Sequence, residues 1–258
     1  MGNGILGMSQ GLLGSKALLA GGGEQVDFFI HGYTDTKFTV FGWDIYLTTT
    51  HISMIIVIAS ILVFAIFANR AIKKADPNKV PGPFLNVVEL IVESLDGMVA
   101  SSMGSKKALK FRNYVSALFF FILVCNLSGL LGLRPPTADY GVTFPLAVMT
   151  WVLIQFNGFK YQKFGKIKAL FEPIFLFFPM NLISEFSTPV SMSLRLFGNI
   201  LSGTVMMGLI YGLLPRVLTL VWPAALHAYL DVFSGAIQTY VFCMLTMTYI
   251  TQSYGDEE

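Results

Sequence analysis

An arginine stands in the middle of a long apolar tract of this chain, where a permanent charge is costly. Arg195 lies within residues 171–214, far from either end of that tract. An arginine at the centre of a membrane helix costs about 2.5–3.5 kcal/mol on insertion scales, so such residues are commonly functional. A guanidinium also stays charged at every physiological pH. The alternative is an internal ion pair that only fixes helix packing, and the residues around Arg195 favour function.

Polar residues continue from Arg195 in both directions at helical spacing. On a helix they form one stripe along an otherwise apolar cylinder, because residues three or four apart share a face. Glu185 flanks this stripe ten residues before Arg195, which is about 15 Å along a helix axis. The stripe comprises Asn181, Ser184, Thr188, Ser191, Arg195, Asn199 and Ser202.

A second, shorter stripe lies in the last apolar tract, residues 217–249, and consists of His227, Asp231, Ser234 and Gln238. Asp231 is the only carboxylate of that tract, and intramembrane carboxylates commonly mark ion paths. We interpret His227 as an interfacial residue rather than a proton relay. Titratable groups therefore lie on both sides of Arg195. This pattern predicts two offset half-paths separated by a fixed positive charge, because a cation at mid-depth opposes a continuous cation pore.

The elements that hold these residues are predicted to be membrane helices. Hydrophobic residues make up 54% of the 258 residues and charged residues 12%, whereas soluble domains carry about a quarter charged residues. A helix needs about 20 apolar residues to cross the hydrocarbon core. We therefore predict an all-α integral membrane protein with about five transmembrane helices. The apolar runs are residues 46–68, 114–133, 142–159, 171–214 and 217–249.

The last two runs are longer than a perpendicular helix requires, so we expect two long and strongly tilted helices. Between the first two spans, residues 84–103 have apolar positions on one face and carboxylates on the other. That pattern predicts one amphipathic helix on the membrane surface or against a partner. Residues 1–40 are expected to form an extracytoplasmic tail, loosely ordered over residues 1–38, and residues 41–254 a single membrane domain.

Basic residues predict the orientation of the chain. Of the 17 lysines and arginines, eight lie in residues 70–112 and four in residues 160–168, whereas the intervening loops carry only Arg134 and Arg216. Basic loops stay cytoplasmic. The alternation predicts an N-terminus outside and a C-terminus in the cytoplasm.

Three motifs in consistent order resemble subunit a, also called subunit 6, of bacterial-type F-type ATP synthases. The most specific is residues 193–199, Ser-Leu-Arg-Leu-Phe-Gly-Asn, which includes Arg195 and Asn199. Residues 126–130, Asn-Leu-Ser-Gly-Leu, are similar to the family's second-helix motif. The end of the last helix is similar through Gln238, Phe242, Leu245, Thr246 and Tyr249.

The resemblance implies that the chain is the ion-translocating stator subunit, with Arg195 facing an essential carboxylate on the rotating ring of c subunits. Ions, expected to be H⁺ with Na⁺ as the alternative, would enter from outside along Asp231, Gln238 and Asn126. They would leave to the cytoplasm near Glu185 and Asn181, with Ser191 also in the path. The implied partners are the c-ring, the b subunits, the rest of the ATP synthase and the lipid bilayer of a bacterial cell (inner) membrane.

Two positions depart from the family pattern. Thr204 stands where some relatives carry an acidic or basic residue, and Asp231 stands where relatives commonly carry Glu or His. These departures bear on the outer path and leave Arg195 unaffected.

Catalysis, cofactors, metals and nucleic acid are not expected. The chain has no Gly-rich Lys-Ser/Thr phosphate loop, and its two cysteines, Cys125 and Cys243, lie in apolar runs where buried packing is the ordinary role. A secondary transporter is one alternative, although we detect no internal repeat of the kind such proteins often carry. An intramembrane enzyme is another, with Ser191 or Ser193 as nucleophile and His227 as base, but spacing alone supports it weakly.

Overall fold

The computed structural model describes residues 32–40, 43–75, 82–162, 165–166, 171, 175–213 and 222–254. A hairpin of two antiparallel strands precedes the helices, with Val40 paired to Trp43 at its turn. The strands are β1 (Gly32–Val40) and β2 (Trp43–Thr48). The helices are α1 (Thr49–Lys74), α2 (Pro83–Met103), α3 (Ser105–Leu127), α4 (Tyr140–Tyr161), α5 (Phe178–Leu213), α6 (Trp222–His227) and α7 (Gly235–Gln252).

Shorter helical turns join or extend these helices. A 3₁₀ turn continues α3, a second one leads into α4 and a third one precedes α5. A π-helical segment connects α6 to α7, so that these three pieces form one continuous rod. The turns are Ser128–Leu131, Pro136–Ala138 and Phe175–Phe177, and the π segment is Ala228–Ser234.

Five helical segments of the described chain are long and apolar enough to cross a membrane, which confirms the predicted all-α membrane class. Their bounds are Thr49–Lys74, Lys110–Leu131, Tyr140–Tyr161, Phe178–Ile210 and Ala225–Gln252. The 36 residues of α5 correspond to about 54 Å of helix at about 1.5 Å per residue. Because the hydrocarbon core is only about 30 Å thick, a helix of that length has to tilt or project into the aqueous phase.

Three local features differ from the sequence-based expectation. Helix α1 continues through Lys74 rather than stopping at residue 68, because Lys73 and Lys74 in its last turn complement the negative end of the helix dipole. Strand β1 gives order to residues that were expected to be irregular, whereas residues 1–31 of the tail lie outside the described residues. The last span contains the π segment rather than continuous α-helix.

Helix α2 confirms the predicted amphipathic element. Its buried face, which includes Val88, Leu95 and Val99, packs against α3 and α7. Glu89 and Glu93 remain exposed on the other side. Gly104 alone separates α2 from α3 and adopts φ 73°, a conformation in which a side chain is strained. That single residue lets the surface helix turn directly into a spanning helix.

The core lies where α3, α4, α5 and α7 meet. Its fully buried side chains come from each of these helices and include Ile122, Ala147, Leu196 and Phe242, each at most 1% exposed. In contrast, α1 presents large apolar side chains outward, such as Leu62 at 57% and Phe67 at 58%. Such a surface suits lipid, and its extent is what distinguishes this chain from a soluble bundle.

Close backbone approach contributes to helix packing here, because lipid removes most of the hydrophobic drive between membrane helices. Gly235, the first residue of α7, lies against α3. A Cβ added at Gly235 would be 3.1 Å from the Cβ of Asn126. The absence of a side chain at Gly235 therefore lets the Asn126 side chain approach the backbone of α7, where its amide donates to the Gly235 carbonyl at 3.0 Å.

Candidate functional site

The polar stripe predicted around Arg195, from Asn181 to Ser202, lies on helix α5, and we call it the α5 stripe. The rest of the described chain leaves its face of α5 largely uncovered. Met192, Leu196 and Ile200 each follow a stripe residue by one position, so they share an adjoining face about 100° around the helix, and they are buried at 3%, 0% and 8% exposure. Ser191 and Arg195 are exposed. The helix is thus packed on one side and presents its polar side outward, within the segment Phe178–Ile210 that is long and apolar enough to cross a membrane.

Arg195 has no hydrogen-bond or ion-pair partner among the residues that the structure describes. An unpaired guanidinium in hydrocarbon is strongly unfavourable. The internal ion pair considered from the sequence is therefore not formed with any described residue. A polar or anionic partner from outside the described residues would offset that cost.

Asn199 connects the α5 stripe to the last span. Its side-chain carbonyl accepts a hydrogen bond from the Ser234 hydroxyl at 3.0 Å, and its amide lies 3.5 Å from the Ser234 backbone carbonyl. The contact lies one helical turn from Arg195 and three residues from Asp231. These hydrogen bonds between Asn199 and Ser234 connect the α5 stripe to the stripe of the last span.

The π segment carries Asp231 at its centre. Oδ2 of Asp231 lies 2.6 Å from Nδ1 of His227, four residues earlier. Sequence reasoning placed His227 at the interface and missed this contact, although the spacing of four was a signal. The carboxyl group also lies against the turn after α3, since a Cβ at Gly129 would be 3.7 Å from Oδ2. A π turn widens the helix locally and is common at functional sites.

A cluster of neutral polar groups lies next to the π segment, in the protein core. Asn126 is 1% exposed and forms three hydrogen bonds. Its amide donates to the Gly235 carbonyl at 3.0 Å and to the Thr239 hydroxyl at 3.2 Å, and its carbonyl accepts from Thr137 at 2.9 Å. We call Asn126, Thr137, Gly235, Gln238 and Thr239 the Asn126 cluster. Thr137 and Thr239 were not predicted from the sequence, because an uncharged threonine does not stand out as a charged residue does in an apolar tract.

Gln238 belongs to this cluster and has an unsatisfied group. It is 8% exposed, and its Nε2 has no hydrogen-bond partner among the described residues. Buried polar groups are usually paired with protein or water, so an orphan amide in a core needs an explanation. A water molecule would satisfy it.

Glu185 is held by groups from α4 and from the segment that follows it. Its carboxylate accepts a short hydrogen bond from the Gln155 amide and lies 3.4 Å from the ammonium of Lys166. Its backbone carbonyl accepts from the indole of Trp151 at 3.1 Å. We call Gln155, Lys166 and Glu185 the Glu185 cluster. Gln155 could have been predicted as a functional residue, because it is the one glutamine of the third apolar run. Lys166 could not, because it is one of four lysines in the loop of residues 160–168.

The remaining predicted site residues lie along the same helix. Asn181 is half-buried, one turn before Glu185, and Ser191 is exposed one turn before Arg195. Thr204, beyond Asn199, donates to the carbonyl of Ile200 in its own helix. The structure thus brings Asp231 beside the Asn126 cluster, with Asn199 as the link to α5, and holds Glu185 separately, ten residues before Arg195.

The described residues contain no group of three or more His, Cys, Asp or Glu side chains that could hold a metal ion. Cys125 and Cys243 are both buried and free. Ser193, considered above as a nucleophile, is fully buried and donates to the Val190 carbonyl of its own helix. This arrangement does not favour Ser193 as a nucleophile.

The sequence is similar to known proteins over most of its length. The family model described as "ATP synthase A chain" matches residues 51–251. A protein of Propionigenium modestum named "ATP synthase subunit a, sodium ion specific" is 39% identical over 187 residues, which are 66% of this chain and 63% of that protein. Two bacterial proteins named "ATP synthase subunit a" extend the similarity. The protein of Staphylococcus saprophyticus is 32% identical, and the match covers 85% of this chain and 96% of that protein. The protein of Priestia megaterium is 30% identical, and the match covers 79% of this chain and 91% of that protein.

Proposed function

We propose, starting from the fact that this chain belongs to the ATP synthase A chain family, that it provides two offset half-paths for ions on either side of Arg195. Family members are ion-translocating stator subunits in the membrane sector of the ATP synthase. The half-paths, their residues and the role of Arg195 are the proposal.

The observation that carries the proposal is the exposed guanidinium of Arg195 on the open face of α5, which has no partner among the described residues. The partner that would stabilise it best is a carboxylate from another subunit, because a guanidinium and a carboxylate form the strongest charge-assisted hydrogen bonds. A ring of c subunits presenting one carboxylate after another fits this requirement. Arg195 would attract each carboxylate in its deprotonated form and block direct passage between the half-paths.

The outer half-path would run along the Asn126 cluster to Asp231. It is supported by the orphan amide of Gln238 and by the contact of Asp231 with His227, which together offer groups that bind and release a cation. Asn199, hydrogen-bonded to Ser234, would complete the path to the face that carries Arg195.

The inner half-path would leave that face past Ser191 and Glu185 to Asn181. These residues follow one another toward the N-terminal end of α5, on its polar side. An ion released from the ring after almost a full turn would meet them before reaching the cytoplasm. The chain itself performs no bond chemistry in this scheme and is non-catalytic.

We propose H⁺ as the transported ion, with Na⁺ as the alternative. A histidine paired with a carboxylate suits proton exchange, whereas the relative from Propionigenium modestum is named as sodium ion specific. ATP synthesis in vesicles separates the two. A protonophore should abolish synthesis driven by a proton gradient, whereas synthesis that persists with the protonophore and depends on a Na⁺ gradient would assign Na⁺.

The proposed setting is a bacterial cell membrane, with the N-terminus outside and the C-terminus in the cytoplasm. Lys73 and Lys74 end α1, and Lys160 lies in the last turn of α4. Lys110, near the start of α3, donates to Tyr161 at the end of α4. These basic residues therefore gather at one end of the bundle, as expected for a cytoplasmic side. The c-ring and the b subunits are the proposed partners.

The test of the proposal is the Arg195→Ala variant in vesicles that hold the whole complex. We expect ATP synthesis to vanish while the complex remains assembled. Arg70→Ala, at the exposed end of α1, is the matched control and should synthesise ATP at the native rate. Coupled synthesis by Arg195→Ala would overturn the proposal.

A further inference from the structure

We propose that Lys166 acts as a tethered cation that prevents Glu185 from retaining the ion as it leaves through the inner half-path. The inference rests on the proposed function, because it requires ions to pass Glu185. Lys166 is a positioning residue in this scheme. It competes with the ion for the carboxylate and does not bind the ion itself.

The geometry around Lys166 is that of a built site. Its ammonium lies 3.4 Å from Oε1 of Glu185 and donates a short hydrogen bond to Oε1 of Gln155. The Gln155 amide in turn donates to the same Glu185 oxygen. The Lys166 side chain is 14% exposed, whereas that of Glu185 is 36% exposed. Lys166 is therefore covered, and the carboxylate keeps an open side.

A gap in α4 accommodates the lysine. A Cβ added at Gly158 would lie 2.7 Å from both Cδ and Nζ of Lys166 and 3.1 Å from its Cε. The side chain thus crosses the helix where no other side chain stands. The ammonium also lies 5.5 Å from the centroid of the Phe159 ring, within the range of a cation–π contact. Several contacts therefore fix the ammonium beside Glu185.

A fixed ammonium changes how a carboxylate handles a second cation. An isolated carboxylate in a partly dehydrated site attracts cations strongly, because the effective dielectric constant is low there. A neighbouring positive charge opposes the binding of H⁺ or Na⁺ to it. In the described part of the chain, Lys166 is the charged group in contact with Glu185, since Trp151 and Gln155 are neutral. The carboxylate of Glu185 would therefore attract the ion, and the ammonium of Lys166 would weaken its binding enough for the ion to be released.

The experiment uses inverted vesicles that hold the whole complex, with the cytoplasmic side outward. ATP-driven ion uptake is measured against external pH, and against external Na⁺ at fixed pH, and ATP synthesis is measured in the same preparation. We expect Lys166→Met to lower the half-saturating cytoplasmic ion concentration by about tenfold, the effect of one neighbouring charge on one binding equilibrium. Its maximal rate of synthesis should fall severalfold, because release becomes slower. Lys166→Arg should restore both values.

A second variant displaces the lysine without removing its charge. Gly158→Ala should shift the half-saturating concentration in the same direction as Lys166→Met. Gly97→Ala on α2, where an added Cβ meets nothing within 4 Å, controls for the helix substitution, and Lys160→Met controls for loss of a lysine at the same end of α4. Both controls should behave as the native complex.

A native half-saturating concentration in both Lys166→Met and Gly158→Ala would overturn the inference. So would a loss of synthesis that Lys166→Arg fails to restore, because this would indicate a structural role. Arg195→Ala is measured in parallel. If it abolishes synthesis while the Lys166 variants are native, only the tethered-cation inference fails. If it retains synthesis, the proposed function itself fails.

Discussion

The Asn126 cluster and the Glu185 cluster, which the proposal assigns to the two half-paths, are built with opposite chemistry. Neutral amides and hydroxyls make up the first, with Asn126 1% exposed and three hydrogen bonds saturating it. A charged pair and one bridging amide make up the second, and its carboxylate is 36% exposed. Burial explains the contrast, because a buried charge needs a partner whereas a buried amide needs only hydrogen bonds.

The difference indicates how each region would fail. The Asn126 cluster depends on shape, since its hydrogen bonds hold α3 to α7 and the 3₁₀ turn Pro136–Ala138 beside them. Removing one member leaves other buried groups unpaired. The Glu185 cluster depends on charge, so changes of charge should matter there more than changes of volume. The predictions below test that contrast.

The largest effect is expected at Asp231, the carboxylate next to the neutral cluster. Asp231→Asn keeps the volume but removes the charge that faces His227 at 2.6 Å. We expect ion flux from outside to fall by at least about tenfold, the scale of one lost charge-assisted hydrogen bond. Flux is measured in vesicles over a range of external pH. Asp231→Glu should retain part of the flux, and native flux in Asp231→Asn would remove this residue from the path.

Asn126→Leu should disrupt the neutral cluster by a structural route. The buried Thr137 hydroxyl would lose its partner, whereas the Thr239 hydroxyl and the Gly235 carbonyl would lose the Asn126 amide but keep the hydrogen bond between them. A buried group left unsatisfied costs about 1–3 kcal/mol, so the variant complex should dissociate at a lower temperature and synthesise ATP slowly. Ser128→Ala is the control, because the Ser128 hydroxyl bonds only within its own turn, to Cys125. Equal thermal stability of the two variants would contradict the role given to Asn126.

Gln238→Leu should separate packing from transport. The Nε2 atom of Gln238 has no hydrogen-bond partner among the described residues. Removing it therefore deprives no described group of a hydrogen bond. We expect complex stability to change little and ion flux to fall a few-fold, because hydration in the path is lost. Calorimetry and flux measurements on the same sample give both values. A large drop in stability with unchanged flux would place Gln238 in the core only.

The smallest effect is expected at a charge pair outside both clusters. Arg112 and Asp96 lie 3.1 Å apart with side chains 46% and 33% exposed. Exposed pairs typically contribute about 0–1 kcal/mol. Asp96→Asn should therefore leave assembly and synthesis near native levels, as measured by complex yield and initial rate. A loss of synthesis as large as that of Lys166→Met would show that ion pairs at this end of the helix bundle matter in general, and not specifically the pair at Glu185.

The sequence was sufficient to predict the membrane class, the five spans, helix α2 and the placement of Arg195 on a polar face. Those features follow from run length and from periodicity within single helices. The π segment around Asp231 was not predictable from the sequence. Its backbone hydrogen bonds span one residue more than those of an α-helix, and no residue type in the sequence indicates that change. The hairpin β1–β2 was missed because glycines and polar residues precede it.

Contacts between helices were the other omission. The Lys166–Glu185 pair joins residues 19 positions apart on separate segments, and the Asn126–Thr239 bond joins residues 113 apart. Neither spacing carries a periodic signal. Both depend on small residues, Gly158 and Gly235, whose significance appears only when a Cβ is placed on them in three dimensions.

The most direct test of the central claim is the accessibility of single cysteines from each side of the membrane. In a complex whose Cys125 and Cys243 are replaced by alanine, Asn181→Cys and Gln238→Cys are treated with a membrane-impermeant thiol reagent on one side at a time. Two half-paths separated by Arg195 predict that Asn181→Cys reacts only from the cytoplasmic side and Gln238→Cys only from the outside. Reaction of either cysteine from both sides would indicate a continuous pore and contradict the account.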